Sequence, residues 1–388
     1  MVIFKRIIEL DQIKGIAIIG VVLLHSVFTQ LGHQPYLHSL WNIQNSFARY
    51  AADSIYFQVA SLVMPLFVLV IGINFILQMN KMHIYVFNKE SLKRFYANKL
   101  ERIVFPVLVL GAIEYAGLAL LNTSFSASRL LLSFVEHPIF GMGSNFIPFL
   151  LVFYFIAAPI ILWLYRKTGA WIILISLLLF PISYPIFAHP GFALYDWFFY
   201  IFYWGPAVAL GCVIGGYIIL TGGNLSIRPL LRERWFALTF ILGFALFEAV
   251  FILLYPVVSN DFWYYVLPSS IVGIVPFTIL FLVLQFSNNF NRRIFSFLAF
   301  FGKLSLEIYL VQMIYFSTPS QIILGDYVRA ILGGSANTVG SVGVTLFISL
   351  AIITSLALIA AYCLSKLFSF VKRTYGLVLK HPIVRDQN

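Results

Sequence analysis

The chain predicts an all-α integral membrane protein of about ten transmembrane helices with both termini cytoplasmic. Three observations carry this. Of 388 residues, 61% are hydrophobic, 18% aromatic and only 10% charged, and the mean hydropathy of +0.95 lies far outside the range of soluble domains. The apolar residues fall into successive runs of about 17 to 25, the length a helix needs to cross a hydrocarbon core. Finally, with the N-terminus inside, every one of the 25 Lys and Arg residues falls on the cytoplasmic side except Arg49, Arg129 and Arg329. An odd number of crossings would reverse the later loops and destroy that asymmetry.

The elements follow in order. The first run, 13–31, comes after Lys5 and Arg6, but Glu9, Asp11 and Lys14 intervene and no small-residue cleavage site follows, so it is expected to be an uncleaved first helix. A second run covers 56–79. Between it and the run 103–122, the stretch 89–102 alternates basic residues with Leu92, Phe95, Tyr96 and Leu100 at helical spacing, which suits an interfacial amphipathic helix entering the third membrane helix. Further runs cover 145–165, 170–188, 198–220, 235–257, 264–286, 297–319 and 341–365. Two of them are interrupted, 170–188 by Pro181 and Pro185, and 297–319 by Lys303, Ser305 and Glu307. No stretch between runs is long enough to fold by itself, so residues 1–388 are expected to form a single membrane domain without a separate soluble domain. No inverted repeat of paired Gly/Pro-broken segments is visible, which lowers the prior for a transporter.

Several function classes are excluded or disfavoured. The net charge of +11 is spread over short loops and follows from the positive-inside bias, so nucleic acid is not expected as a partner. Cys212 and Cys363 stand in separate apolar runs and propose neither a disulfide framework nor a thiolate metal site. His33 and His38 share an outer loop without further ligands, and no metal is expected. There is no Ser nucleophile elbow, Walker loop or dinucleotide fingerprint in structural context.

The positions that carry chemistry begin with Lys14 and His25. The run Gly15 to Leu31 holds no Asp, Glu, Lys or Arg, so the imidazole is the one ordinarily titratable group inside it at neutral pH. Eleven residues advance a helix by about 16 Å and return to within about 20° of the same face, so the two side chains line one groove. A lone His in such a helix is either a hydrogen-bonded packing residue or a functional group; the cost of an ionisable group in a membrane favours the second. The stretch 89–102 has two readings as well: a lipid-facing anchor, or a phosphate-binding wall in which Arg94, Lys99 and Arg102 join Lys14. A basic rim with His25 about three turns deeper suits a long ligand with an anionic head, such as an acyl-coenzyme A, with His25 acting as general base on an acceptor hydroxyl. The acids Glu114, Glu248 and Glu307 each need a partner in a low-dielectric setting and are open to structural pairing or a role at the site. Asp11, three residues before Lys14, is expected to form an ion pair at the helix mouth.

These residues resemble a known family. Leu10-Asp11-Gln12-Ile13-Lys14-Gly15-Ile16-Ala17, continued to Leu24-His25-Ser26, is similar to the first helix of the membrane acyltransferase-3 family, whose signature is a basic residue, ten residues, then His. The resemblance continues at 64–72 (Met64-Pro65-Leu66-Phe67 to Gly72), at Lys99-Leu100-Glu101-Arg102 before Pro106, and at 301–310, which brings in Ser305, Glu307 and Tyr309 as supporting positions. The order and spacing cover nearly the whole chain. Departures are Gln312 where the late motif usually has His, Leu306 where Tyr is common, Ile71 where Ser often precedes Gly, and Asn145-Phe146-Ile147-Pro148 in place of a Trp-Phe-Leu region. These bear on the acceptor side more than on the donor side, since Lys14, His25 and Arg102 are intact.

The resemblance implies an acyltransferase of the plasma membrane. It would move an acyl group, usually acetyl, from cytoplasmic acetyl-coenzyme A or another acyl-coenzyme A to a hydroxyl of a lipid-linked or cell-surface carbohydrate. It also implies that the chain lacks the extracytoplasmic esterase-like domain of longer relatives. Lys14, Lys99, Arg102 and Arg94 would hold the phosphates, and His25 would activate the acceptor or receive the acyl group. The expected partners are acyl-coenzyme A, a carbohydrate or glycolipid acceptor and membrane lipids; assembly as a homo-oligomer is left open. The alternative from another class is a transporter or flippase exporting a glycan or lipid-linked precursor.

Overall fold

The computed structural model describes residues 7–30, 46–81, 89–121, 146–187, 195–221, 295–317 and 339–378, together with positions 278, 280, 281, 283 and 284. Among these every regular element is helical. Four stretches are long and apolar enough to cross a membrane: Val63–Lys81, Phe146–Leu179, Tyr203–Leu220 and Leu350–Phe370. The expected run 235–257, most of 264–286 and both chain ends lie outside the described residues.

Helix α1 (Ile8–Gln30) opens with Glu9 and Asp11, whose charges favour the positive end of the helix dipole, and then runs without interruption through the predicted apolar segment. Helix α2 (Ser46–Lys81) has 36 residues, about 54 Å of helix, so it projects well beyond a hydrocarbon core about 30 Å thick. Helix α3 (Lys89–Lys99) is the expected amphipathic piece: Lys89, Lys93 and Arg94 are exposed while Phe95 is buried. It continues through a π turn, Leu100–Val104, into α4 (Phe105–Leu121).

That π turn has a local cause. Pro106 has no N–H to give to the carbonyl of Arg102, so the ladder slips by one residue and the Phe105 N–H donates to Leu100. The same arrangement recurs in α5 (Phe146–Val152), where a π turn at Phe153–Ala157 leads into α6 (Ala158–Thr168), Pro159 stands at the corresponding place and the Ala158 N–H donates to Phe153. The chain then turns at Gly169, with φ +55°, into α7 (Ile172–Phe187), so the two runs expected at 145–165 and 170–188 are separate helices. Helix α8 (Tyr195–Leu220) packs against α2 over the most extensive interface among the described elements, and against α7 and α5.

The run expected at 297–319 is broken. Leu304 leaves helical geometry (φ −99°, ψ 12°), its N–H is shared between the carbonyls of Phe300 and Phe301, and a new helix starts when the Ile308 N–H reaches Leu304. The result is α9 (Ser296–Lys303) followed by α10 (Ser305–Ser317), and α9 alone, about 12 Å long, is too short to cross a membrane. Helix α11 (Val339–Val378) is apolar yet mostly uncovered: Phe347, Leu356, Ile359 and Phe370 are exposed, as expected of a helix facing lipid.

Two crossings fix the interior. At the α1–α9 crossing, a Cβ on Gly15 would strike the Leu298 carbonyl and one on Gly302 would strike the Asp11 carbonyl, so the two backbones touch where neither residue has a side chain. An aromatic column forms the second. The rings of Phe146, Phe149 and Phe153 stack at successive centroid distances of 6.0 and 5.8 Å, Trp204 of α8 stands edge-on to Phe149 at 4.9 Å, and Phe75 of α2 meets Phe153 at 5.5 Å.

Candidate functional site

The α1–α9 crossing sets the mouth of the site. Lys14 pairs with Asp11 at 2.7 Å across one turn of α1, as the sequence spacing anticipates, and the carboxylate side of the pair is buried. Between them in sequence, Gln12 is fully buried and its Nε2 donates to the Phe295 carbonyl at 3.2 Å, just ahead of α9. Helix α1 is thus tied to α9 by a side-chain hydrogen bond and by backbone contact within one turn of Lys14.

The second wall comes from α3 and the two π turns. Lys99 closes α3 and is only 9% exposed. Its ammonium lies 3.7 Å from the centre of the Tyr154 ring and 5.3 Å from that of Phe95. Those rings are held in turn: Phe95 packs on Phe75 and Tyr154, and Tyr96 stacks on Phe155 at 5.7 Å. Burial in this box lowers the Lys99 amine from its ordinary 10.5 to about 7, and the Arg102 guanidinium pushes in the same direction.

Between about 7 and 10.5 the folded chain holds fewer protons on Lys99 than the unfolded chain, so the group's cost to stability is greatest below pH 7 and fades as pH rises to 10.5. Lys99→Met is therefore expected to melt above wild type near about pH 6, with the gap narrowing toward about pH 9. Melting curves across that range check it; a gap independent of pH is the contrary result.

Arg102 joins the walls. It projects from the first π turn, is exposed, and acts electrostatically on Lys99, on Tyr154 and on Glu307 of α10. Lys14 acts on the same Glu307. Glu307 lies in the first turn of α10, just beyond the break at Leu304, and is acted on by cations of both α1 and the α3–α4 connection. Tyr309, two residues on, is buried; its hydroxyl hydrogen-bonds the Phe146 backbone and its ring meets Phe146 at 5.2 Å. Ser305 is also buried at the start of α10.

Of the positions singled out in the sequence, Arg102 acts electrostatically on both Lys99 and Glu307, and Lys14 acts on Glu307. Arg94 is exposed on α3. His25 lies on the continuous α1 backbone and Glu114 on α4, but their side chains are outside the described residues, as are Glu248, His33 and His38 altogether. Gln312, the departure in the late motif, is buried in α10. No group of three or more metal-ligating side chains occurs among the described residues. Tyr154 and Gln12 were not among the candidate site residues, and Phe95 stood out only as part of the apolar face of 89–102: Tyr154 stands in a run of aromatics, Phe153-Tyr154-Phe155, that hydropathy does not divide. What the arrangement can do chemically is receive a polyanion at a rim built from two cationic walls.

No significant match was found among curated proteins or among solved structures. A protein-family model described as an acyltransferase domain matches residues 7–366, so the chain belongs to the acyltransferase-3 family.

Proposed function

We propose that this membrane acyltransferase takes an acyl group, most simply acetyl, from a cytoplasmic acyl-coenzyme A and passes it to a hydroxyl of a lipid-linked or cell-surface carbohydrate at the plasma membrane. The observation that carries the proposal is the convergence of Arg102 with Lys99 on one side and, through Glu307, with Lys14 on the other. Phosphates of the donor bind these cations, Arg102 as a fork of donors and the lysines as point charges, while Arg94 supplies attraction from the exposed face of α3.

From that rim the uninterrupted helix α1 leads inward. His25 lies eleven residues beyond Lys14, about 16 Å along the axis, a distance of the order of a pantetheine arm. In the transfer, the acceptor hydroxyl gives its proton to the His25 imidazole as its oxygen attacks the thioester carbonyl; the new C–O bond forms, the C–S bond breaks, and the coenzyme A thiolate leaves and takes up a proton. A relay through an acyl-imidazole on His25 has the same stoichiometry. Asp11 pairs with Lys14 at the mouth, and Ser305, Glu307 and Tyr309 of α10, with Glu114 and Glu248, are candidates for support of the site rather than for covalent chemistry.

Labelled acetyl-coenzyme A with purified protein in detergent or liposomes tests the donor half. Saturable binding is expected, weakened at least tenfold in Lys14→Ala and in Arg102→Ala, the loss of one charge-assisted phosphate contact each. Well-folded protein that binds neither acetyl- nor succinyl-coenzyme A would overturn the proposal in favour of a transporter.

A further inference from the structure

Lys99 poses a physical problem. An ammonium removed from water is costly unless paired, and this one is 9% exposed, with the Arg102 guanidinium as the charged group acting on it among the described residues. What faces it is aromatic: Tyr154 from the π turn of α5–α6 and Phe95 from its own helix. Around this core, Tyr96 stacks on Phe155, and Arg102 acts electrostatically on Tyr154 as well as on Lys99. A ring face attracts a cation without neutralising it. A carboxylate in the same place would occupy the positive charge and compete with an anionic ligand.

Resting on the donor site proposed above, we infer that Tyr154, with Phe95, is a positioning residue for that site: its ring face holds the Lys99 ammonium in place near Arg102, leaving the Lys99 charge for the phosphates of the donor. The inference is geometric. The Nζ sits closer to the Tyr154 ring than to Phe95, and the Tyr154 ring is itself held by Phe95 and Phe153, at 6.4 and 4.7 Å. Burial lowers the amine of the empty site, and a dianionic phosphate beside Lys99 would oppose that shift. Donor binding at slightly alkaline pH is therefore expected to take up a proton at Lys99.

Calorimetric titration of full-length protein with coenzyme A, at about pH 8 in two buffers of different ionisation enthalpy, reads both affinity and proton uptake. Wild type is expected to take up a proton in part, and Lys99→Met to bind more weakly with that uptake gone. Tyr154→Leu should weaken coenzyme A binding about tenfold, the scale of a desolvated cation–π contact, and raise KM for the acyl donor more than it lowers kcat. Tyr154→Phe keeps the ring face and should restore affinity to within about threefold of wild type. Equal affinity and uptake in folded Tyr154→Leu, or a Tyr154→Phe variant as weak as Tyr154→Leu, would overturn the inference and leave the donor site standing. Wild type that binds no coenzyme A would overturn both.

Discussion

His25→Ala is expected to lower acyl transfer by about 10²- to 10⁴-fold, the range for loss of a general base, while leaving coenzyme A binding and the melting temperature close to wild type. The argument rests on separation. The cations that hold the donor gather near Lys14, Lys99 and Arg102, whereas His25 stands about three turns further along α1, so an alteration there should leave the phosphate contacts intact. Steady-state kinetics with donor titrated at fixed acceptor separates the two possibilities: a fall in kcat with unchanged donor KM identifies a residue of the chemical step, and a lowered melting point with proportionate loss identifies a packing histidine. Retention of full turnover would remove His25 from the mechanism.

Gly302→Val is expected to be as damaging by a different route. The site at the mouth of α1 exists because α1 and α9 touch backbone to backbone, and the first carbon of any side chain at residue 302 would meet the Asp11 carbonyl. A carbonyl in the middle of a helical turn cannot swing aside as a side chain can, so the helices must separate. The cost should be about 3 kcal/mol or more. Separation would also break the Gln12 contact to Phe295 and displace α10, which carries Glu307. Thermal melting and yield of Gly302→Ala, Gly302→Val and Gly15→Ala check this. Alanine at either position should already destabilise, and the double alanine should cost less than the sum, because one separation relieves both clashes. A wild-type melting curve for Gly302→Val would show that the helices are not this close.

Among the described residues the helices were largely legible, because apolar runs of membrane length are a direct consequence of the solvent. The Asp11–Lys14 pair was legible for a local reason, three residues on one helix face. The break at Leu304 was legible only as a warning from Lys303, Ser305 and Glu307, since Leu304 itself is apolar and an ordinary helix former. The aromatic box was not legible. In water, burial separates inward from outward residues by polarity; in a bilayer both sides are apolar, and Tyr154 inside and Trp163 outside carry the same hydropathic message. Nor did Gly15 and Gly302 stand out among 25 glycines, because their meaning lies in a contact between distant segments. The basic cluster was suggested by the order of motifs, while the action of Lys14 and Arg102 on Glu307 is a relation between distant segments that no local pattern spells out.

The two π turns have a consequence for phase. An α-helix advances about 100° per residue, so one additional residue within a turn rotates everything before it by about that angle relative to everything after it. Leu100–Val104 and Phe153–Ala157 each carry one such slip, each two residues ahead of a proline. The two helices therefore change phase together where Lys99 and Arg102 of one face Tyr154 of the other. Loss of a single residue from either turn, together with replacement of the proline behind it, would let that turn take α geometry and rotate its far half by about 100° relative to its partner.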